Sequence, residues 1–370
     1  MSQFSMYPKN EPLKFYPNPN SSEETTNSYS MYDEDYTCYK NLNEGENEDS
    51  QVYRVLIPIL YTLVFVVGAV GNSLVLFILM RNHNSRSSTD SFLFHLAIAD
   101  LLMLFTFPFT IIEVMIGWQF GDFLCKVLAA ISSLNFYCSS LLLGCISIDR
   151  YLSIIYAIHT FRKRSIHSVH LACFIIWIFC FLLSVPKFFS LGANKTDNGT
   201  WCTYHQINFS DNFWWQGERF VNHIVGFLIP LVIMTICYSH IIATLYMSPR
   251  REKKKAVRVA IVITGVFFLC WTPYNVAVFI DTLNQYKLIH SCAVEVNLPI
   301  VITVTEVLGL THCCLNPLLY AFVGAKFRND ALKVLKLMGC SKSKLFLPVA
   351  TLSRKSSTTE SESRTVISSI

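Results

Sequence analysis

Long runs of apolar residues recur seven times along the chain, separated by short polar segments. A helix that crosses a lipid bilayer needs about 20 mostly apolar residues, because each residue adds only about 1.5 Å. Every run meets that length and is too long for a strand of a soluble protein. The pattern therefore predicts an all-α fold, a seven-transmembrane helix bundle over residues 53–323. Its spans, numbered 1 to 7, run at 53–80, 88–116, 122–156, 167–190, 216–246, 256–283 and 297–323.

Composition agrees with a membrane protein. Hydrophobic residues make up 52% of the chain and charged residues only 15%, and the mean hydropathy is +0.40. A soluble surface cannot hide that much apolar area. No nucleotide-binding or metalloenzyme motif stands in a supporting context, so the sequence predicts neither an enzyme nor a partner among nucleic acids.

Charge is sorted between the two ends of the spans. The first 50 residues hold ten acidic and three basic residues, whereas basic residues follow spans 1, 3, 5 and 7, as in SPRREKKKAVR after span 5. Basic loops mark the cytoplasmic side, so residues 1–52 are predicted to be an extracellular acidic tail of a plasma-membrane protein. All four N-glycosylation sequons fall on that outer side. They begin at Asn20, Asn194, Asn198 and Asn208.

The segment after span 7 changes character. Residues 324–340 place an apolar stripe (Phe327, Ala331, Leu332, Leu335) against basic residues, which predicts a short amphipathic eighth helix at the membrane surface. Cys340 is a candidate for palmitoylation. Residues 341–370 are predicted to be a disordered cytoplasmic tail, because 351–369 hold eleven Ser or Thr and suit phosphorylation.

Four cysteines are predicted to face the oxidising extracellular space: Cys38, Cys125, Cys202 and Cys292. An even number there implies two disulfides, with three possible connectivities. Cys125 begins span 3 and Cys202 lies in the long loop above it, so this is the natural first pair. The second bridge is then Cys38–Cys292, which ties the tail to the loop before span 7.

Polar residues at mid-membrane depth indicate a functional or structural role, because placing an ionisable group there costs at least about 2.5–3.5 kcal/mol of insertion free energy. Asn72, Asp100, Asn135, Ser139 and Asn316 form one such set. They surround either a cation or water, or they form a plain network of hydrogen bonds between helices.

Three further carboxylates lie nearer the outer ends of spans 2, 6 and 7: Glu113, Asp281 and Glu306. If these ends face a common cavity, the three form an acidic cup that is open to the outside. The alternative is that they are solvated helix ends. We favour the cup, because Glu306 is too deep in its span for simple solvation.

Six motifs fall on their own helices in register. They are GN at 71–72, LAIAD at 96–100, DRY at 149–151, Trp177, FFLCWTPY at 267–274 and NPLLY at 316–320. Together they resemble the class A (rhodopsin-like) G-protein-coupled receptors. The four outer cysteines, Glu306 and the runs FYCSSLLLGCISIDRYLSI and HCCLNPLLYAF are similar to the chemokine receptors. KAVRVAIVITGVFFLCWTPYNVAVFIDTL is similar to the CXC-type receptors, those of B lymphocytes above all.

The resemblance implies roles for individual residues. Arg150, flanked by Asp149 and Tyr151, would engage the G protein once its lock to Asp149 opens. Trp271 would sense the ligand and Pro273 would be the hinge of span 6. Tyr238, Tyr320 and the Asn316–Pro317 pair would support the active state. Asp100, Asn135, Ser139 and Asn316 match a sodium pocket, although His312 stands where many class A receptors have asparagine; no other cofactor is expected.

The resemblance also implies partners: a basic chemokine, a heterotrimeric G protein of the inhibitory class, arrestin and receptor kinases. The acidic stretch YSMYDEDYTCYK at 29–40 would steer a basic ligand electrostatically. Tyrosines beside acidic residues also suit sulfation. The expected contacts there are Tyr32, Asp33, Glu34, Asp35, Tyr36 and Tyr39.

Two other classes of function stay open. A secondary transporter would show an internal repeat or paired broken helices, and the sequence shows no such repeat. Another peptide-binding receptor or a scavenging receptor of the same fold is also possible. Scavenging receptors typically depart from DRY, which this chain keeps.

Overall fold

The computed structural model describes residues 27–82, 87–155, 166–196, 199–204, 212–246, 251–286, 288 and 292–323. Within these ranges the chain is almost entirely helical. The helices are α1 Asn27–Arg81, α2 Ser88–Ile116, α3 Gly121–Ile155, α4 Ile166–Ser190, α5 Asn212–Val221, a π-helical segment Asn222–Leu228, α6 Ile229–Tyr246, α7 Arg251–Gln285, α8 Cys292–Leu310 and α9 His312–Val323. Two antiparallel strands, β1 Leu191–Thr196 and β2 Gly199–Tyr204, form a hairpin after α4.

The seven predicted spans are confirmed. Helices long and apolar enough to cross a membrane cover Arg54–Arg81, Ser88–Ile116, Gly121–Ile155, Ser168–Ser190, Gly217–Thr244, Ala260–Gln285 and Leu298–Tyr320. Helices α5 and α6 with the π-helical segment make up span 5, α7 holds span 6, and α8 with α9 makes up span 7. Helix α1 begins at Asn27, well before the predicted start of span 1 at 53. The predicted eighth helix and the tail that follows it lie outside the described residues.

Burial in the bundle has the arrangement expected in lipid. In span 1, Ile57, Tyr61 and Val64 are buried, whereas Ile59 and Leu63 are exposed although they are just as apolar. Exposed apolar side chains on the outside of a bundle face lipid tails, which solvate them well. Polar side chains are instead buried inside, which in a membrane protein indicates a functional or packing role.

Two prolines show how the bundle satisfies the carbonyls that they leave without a helical donor. Ser140 Oγ donates to the carbonyl of Gly226, four residues before Pro230, at 2.6 Å. Asn72 Nδ2 donates to the carbonyl of Cys313, four residues before Pro317, at 2.8 Å. Side chains of neighbouring helices therefore replace the lost bonds, as membrane helices require.

The π-helical segment of span 5 packs unusually close to span 3. A Cβ at Gly226 would overlap the ring of Phe136, so only glycine fits at this point of contact. The wider turn and the missing side chain bring the backbone of span 5 within reach of Ser140. Single π turns inside α-helices are frequent at functional sites, and this one lies just above Pro230.

The β1–β2 hairpin covers the outer end of span 3. The structure forms the disulfide between Cys125 and Cys202, with their Cα atoms 5.6 Å apart. The hairpin is also bonded to the loop between spans 2 and 3, where the backbone N–H of Trp118 donates to the carbonyl of Thr200 at 2.7 Å. The side chains of Cys38 and Cys292 are not among those that the structure describes, so the second bridge stays a prediction.

Candidate functional site

A cavity opens between the spans directly below the hairpin. Its walls come from spans 3 to 7 and from β2, and its floor includes the ring of Trp271. The charged and phenolic side chains that line it are Lys187, Tyr204, Glu218, Arg219, Tyr274 and Glu306. It has the concave form, largely enclosed by helices, that ligand sites in bundles take.

Opposite charges meet on one side of this cavity. Lys187 Nζ lies 3.1 Å from Glu218 Oε1 and hydrogen-bonds the Tyr204 hydroxyl. Burial, followed by the neighbouring Glu218, raises the pKa of the Tyr204 phenol, so the hydroxyl stays neutral beside Lys187.

The next residue of span 5 makes a second buried ion pair. Arg219 Nη1 lies 2.5 Å from Asp281 Oδ2, and the two side chains are only 6% and 1% exposed. Asp281 also accepts a hydrogen bond from Gln285 Nε2 at 2.9 Å. Glu218 and Arg219 therefore tie the outer end of span 5 to spans 4 and 6 respectively.

The expected acidic cup needs correction. Glu306 lines the cavity, whereas Glu113 and Asp281 are not among its lining residues. Glu113 Oε1 instead accepts the backbone N–H of Cys202 at 2.8 Å, and Asp281 is paired with Arg219. The cavity wall therefore carries both signs of charge, because basic groups on spans 4 and 5 accompany the acids.

A line of contacts descends from the cavity floor. Trp271 packs on Phe136, with ring centroids 4.8 Å apart, and its Nε1 donates to His312 Nδ1 at 3.2 Å. His312 Nε2 in turn lies 3.7 Å from Asp100 Oδ1. His312 therefore connects the aromatic floor of the cavity with the buried carboxylate at mid-membrane depth.

Four members of the predicted polar cluster meet around Asp100 in the structure, whereas Asn72 instead donates to the carbonyls of Gly68 and Cys313. Asn316 Nδ2 donates to Asp100 Oδ2 at 2.9 Å, Asn135 Nδ2 donates to Asp100 Oδ1 at 3.3 Å, and Ser139 Oγ lies 3.4 Å from the same amide nitrogen. Asn135 Oδ1 is buried and has no hydrogen-bond partner among the described residues. A carboxylate, a hydroxyl and an unused amide oxygen are the donors that a hard cation prefers, so these residues fit a sodium ion in chemical type.

Two soft ligands also approach Asp100. His312, Cys313 and Asp100 each offer a donor atom within 4.8 Å of the others. Cys314 instead hydrogen-bonds the carbonyl of Thr311. Cys314 is therefore not part of this group, while its two predecessors both approach the carboxylate.

At the end of the bundle opposite the hairpin, one hydroxyl is bonded to both charged residues of the DRY motif. Thr89 Oγ1 donates to Asp149 Oδ2 at 3.2 Å and accepts from Arg150 Nη2. Tyr151 packs its ring near His240 of span 5, at 6.0 Å between centroids. Span 2 is therefore part of the lock that the sequence assigned to Asp149 and Arg150 alone.

The two tyrosines expected to support the active state are both buried. The hydroxyl of Tyr238 lies 3.2 Å from Thr264 Oγ1 and so connects span 5 with span 6. Tyr320 is buried in span 7. In this structure Tyr238 is therefore bonded to span 6. The movement expected of Tyr238 on activation would break this bond.

Some predicted site residues cannot be placed. The backbone of 32–39 belongs to α1, but the side chains of the acidic stretch are not described. Asn20, Asn198, Asn208 and Cys340 lie outside the described residues. Of the predicted glycan acceptors the structure describes Asn194, in β1.

Sequence reasoning missed Lys187, Glu218, Arg219, Tyr204 and Thr89. One signal was present for two of them: Glu218 and Arg219 are adjacent charges at the outer end of an apolar span, where each charge requires a partner. Lys187 lies near the end of an apolar span, where lysine commonly reaches towards water, so its position gave no signal. Nothing in the sequence marks Tyr204 or Thr89.

The chain was compared with known proteins. The family described as "7 transmembrane receptor (rhodopsin family)" matches residues 71–320. The C-X-C chemokine receptor type 5 of Homo sapiens is 45% identical over 316 residues, which cover 84% of this chain and 85% of that protein. The type 5 receptor of Mus musculus is 46% identical over 316 residues, 84% of each chain. The C-X-C chemokine receptor type 3 of Bos taurus is 42% identical over 291 residues, 78% of each chain.

Seven helices able to span a membrane, a cavity at one end of the bundle and a charged lock at the other are the arrangement of a membrane receptor. The chain belongs to the rhodopsin family of seven-transmembrane receptors and, within it, to the C-X-C chemokine receptors. The class and subfamily predicted from the six motifs are thereby confirmed.

Proposed function

We propose that this receptor binds a basic chemokine at the cell surface and activates an inhibitory-class heterotrimeric G protein, driving chemotaxis of B lymphocytes. The observation that supports it best is the continuous line of contacts from the outer cavity through Trp271 and His312 to Asp100. A ligand in the cavity can act on the buried core only through such a line. The type 5 relatives support the C-X-C assignment.

The proposed orientation places the hairpin and its disulfide outside. The Cys125–Cys202 bridge requires an oxidising compartment, and the basic segments after spans 1, 3, 5 and 7 favour the cytoplasm. The acidic N-terminal tail then faces the ligand and raises its encounter rate. Glu306 is the carboxylate of the cavity wall that is suited to a cationic group of the ligand's N-terminus.

Binding shifts the receptor only if the ligand contacts differ between the inactive and active packings. Trp271 is placed for such a difference, because it forms part of the cavity floor and precedes Pro273 by two residues. Its neighbour one turn on, Asn275, contacts His223 of span 5 at 3.2 Å. Movement of the tryptophan ring therefore acts on span 6 next to its proline.

At the cytoplasmic end, activation would release Arg150 from Thr89 and Tyr238 from Thr264. The freed guanidinium would then meet the C-terminus of the Gα subunit. The Ser- and Thr-rich segment 351–369 would take phosphate from receptor kinases and bind arrestin.

Sodium is proposed as an allosteric ligand of the inactive state. Asp100, Ser139 and Asn135, with Asn316 alongside, would hold it. A bound cation would neutralise the buried carboxylate and so stabilise the present arrangement of spans 2, 3 and 7.

A chemokine panel tests the proposal. Cells expressing the chain are treated with individual chemokines, and nucleotide exchange on inhibitory-class G protein is measured. One or more C-X-C chemokines should activate wild type, and Arg150→Ala should abolish exchange while ligand binding stays largely intact. No activation by any chemokine would contradict the ligand class, and full signalling by Arg150→Ala would contradict the role of that residue.

A further inference from the structure

Asn194 is the first residue of a glycosylation sequon, yet its side-chain amide is fully engaged. Nδ2 donates to Thr203 Oγ1 at 2.7 Å and to the carbonyl of Tyr204 at 3.0 Å. The carbonyl of Thr203 lies 3.2 Å from the same nitrogen. Both partners belong to β2, so the amide of Asn194 joins β1 to the end of the opposite strand.

This nitrogen is also the atom to which an N-linked glycan is attached. A primary amide has two N–H donors, and attachment of a sugar replaces one of these hydrogens. A glycosylated Asn194 can therefore keep at most one donor for Thr203 and Tyr204, and the sugar must also find space beside a half-buried side chain. A glycan and the full set of observed bonds therefore exclude each other.

The two residues that Asn194 holds are part of the cavity wall. Thr203 and Tyr204 both line the cavity, and Tyr204 receives the hydrogen bond from Lys187. Their neighbour Cys202 is fixed by its disulfide to Cys125. Backbone pairing of Gly192 with Thr203 and of Leu191 with Tyr204 already joins this part of β2 to β1. The amide of Asn194 adds side-chain bonds to the same two residues and so helps to fix where Tyr204 stands in the cavity.

We propose that Asn194 is a positioning residue of the ligand cavity, and that receptors at the cell surface carry no glycan on it. The prediction of a glycan at this sequon is thereby revised. The part of the proposal that concerns ligand affinity rests on the proposed chemokine function, whereas the part that concerns the glycan does not.

The first experiment measures occupancy directly. Receptors isolated from the cell surface are treated with peptide N-glycosidase in H₂¹⁸O, which converts a glycosylated asparagine into ¹⁸O-labelled aspartate, and the peptide is analysed by mass spectrometry. Position 194 is expected to remain unlabelled asparagine. Labelled aspartate at 194 in the main population of surface receptors would overturn the proposal.

The second experiment separates the amide from the sequon. Thr196→Ala and Asn194→Asp both abolish the sequon, but only Asn194→Asp removes the N–H donors, because aspartate is acceptor-only when ionised. Thr196→Ser, which keeps the sequon and the hydroxyl, controls for the bond from Thr196 Oγ1 to the carbonyl of Gly199. Radiolabelled chemokine binding is measured per surface receptor, counted by flow cytometry.

We expect Asn194→Asp to bind chemokine about tenfold more weakly, in line with two lost hydrogen bonds, while Thr196→Ala stays within about twofold of wild type. Equal affinities of the two variants would overturn the positioning role. If Asn194→Asp fails to reach the surface, Thr196→Ala decides. A lower receptor mass, from a lost glycan, or a lower chemokine affinity in Thr196→Ala contradicts the proposal. An unchanged mass and affinity support it. Failure of every chemokine to bind wild type would count against the proposed function alone, since the occupancy measurement stands without a ligand.

Discussion

The Arg219–Asp281 ion pair offers the sharpest test of the outer site. The guanidinium and the carboxylate are 2.5 Å apart and almost wholly buried. Removing one partner of a buried pair leaves an uncompensated charge and typically costs about 3–5 kcal/mol, whereas removing both is often neutral. We therefore expect Arg219→Met and Asp281→Asn each to lower the free energy of unfolding by about 3 kcal/mol. The double variant should recover most of this loss.

The chain supplies both the assay and the control. Six of its free cysteines are buried in the described part of the bundle, so a thiol-reactive fluorophore reports unfolding of the purified receptor in detergent. The Lys126–Asp122 pair has the same 2.5 Å separation but side chains that are 24% and 50% exposed. Because exposed pairs contribute only about 0–1 kcal/mol, Lys126→Met should change stability little.

Wild type, the two single variants and the double variant form a double-mutant cycle, which gives the coupling energy between Arg219 and Asp281. A coupling of about 2–4 kcal/mol between Arg219 and Asp281 is expected for a buried pair in direct contact. If both single variants unfold within about half a kcal/mol of wild type, the pair is not desolvated as its burial indicates. The bond would then not hold the outer ends of spans 5 and 6 together.

Three further predictions follow from single contacts. Thr89→Val removes the hydroxyl that bonds the charged pair at the end of span 3 and should raise basal nucleotide exchange roughly 10- to 150-fold, because a bond to a charged group contributes about 1.5–3 kcal/mol; Thr89→Ser should behave as wild type. Asn72→Ala leaves a buried carbonyl without a donor and should cost about 1–3 kcal/mol of unfolding free energy. That cost should shrink in a Pro317→Ala background, which restores the helical donor. Gly309→Ala places a Cβ 2.8 Å from the ring of Trp271, so chemokine efficacy should fall while surface expression, measured by flow cytometry, shows that the bundle still folds.

The spans could be predicted because each leaves a mark of about 20 apolar residues in the sequence. The start of α1 could not, since Asn27 to Arg54 is polar and carries no such mark. The cluster around Asp100 could be predicted for a related reason. Its members are polar residues within apolar spans, and each lies near the middle of its span, so they share one depth in the membrane. The bonds from Asn135 and Asn316 to Asp100 confirm that they meet.

The cavity residues were harder to predict from the sequence, because the depth of a residue along its span does not tell which neighbouring helix its side chain faces. Glu113 and Asp281 were placed at a suitable level, but rotation about their helices directs them to Cys202 and Arg219 instead of the cavity. The partner of Glu113 exists only because the disulfide brings β2 over span 3. Such a contact depends on tertiary packing and leaves no pattern in the local sequence.

Polar contacts of Arg219, His223 and Tyr238 tie span 5 to span 6, and the proposed hinge at Pro273 would move them by different amounts. Thr264 precedes Pro273 by nine residues, a lever of about 13.5 Å along a helix, whereas Asn275 follows it by two residues, about 3 Å. A swing of 10° about the proline therefore displaces Thr264 by about 2.3 Å but Asn275 by only about 0.5 Å. The first displacement is enough to break the 3.2 Å contact between Tyr238 and Thr264, and the second leaves the contact of Asn275 with His223 in place. The contact of Asn275 with His223 would thus stay almost in place during such a swing, and the contact of Tyr238 with Thr264 is the one that we expect to change partners on activation.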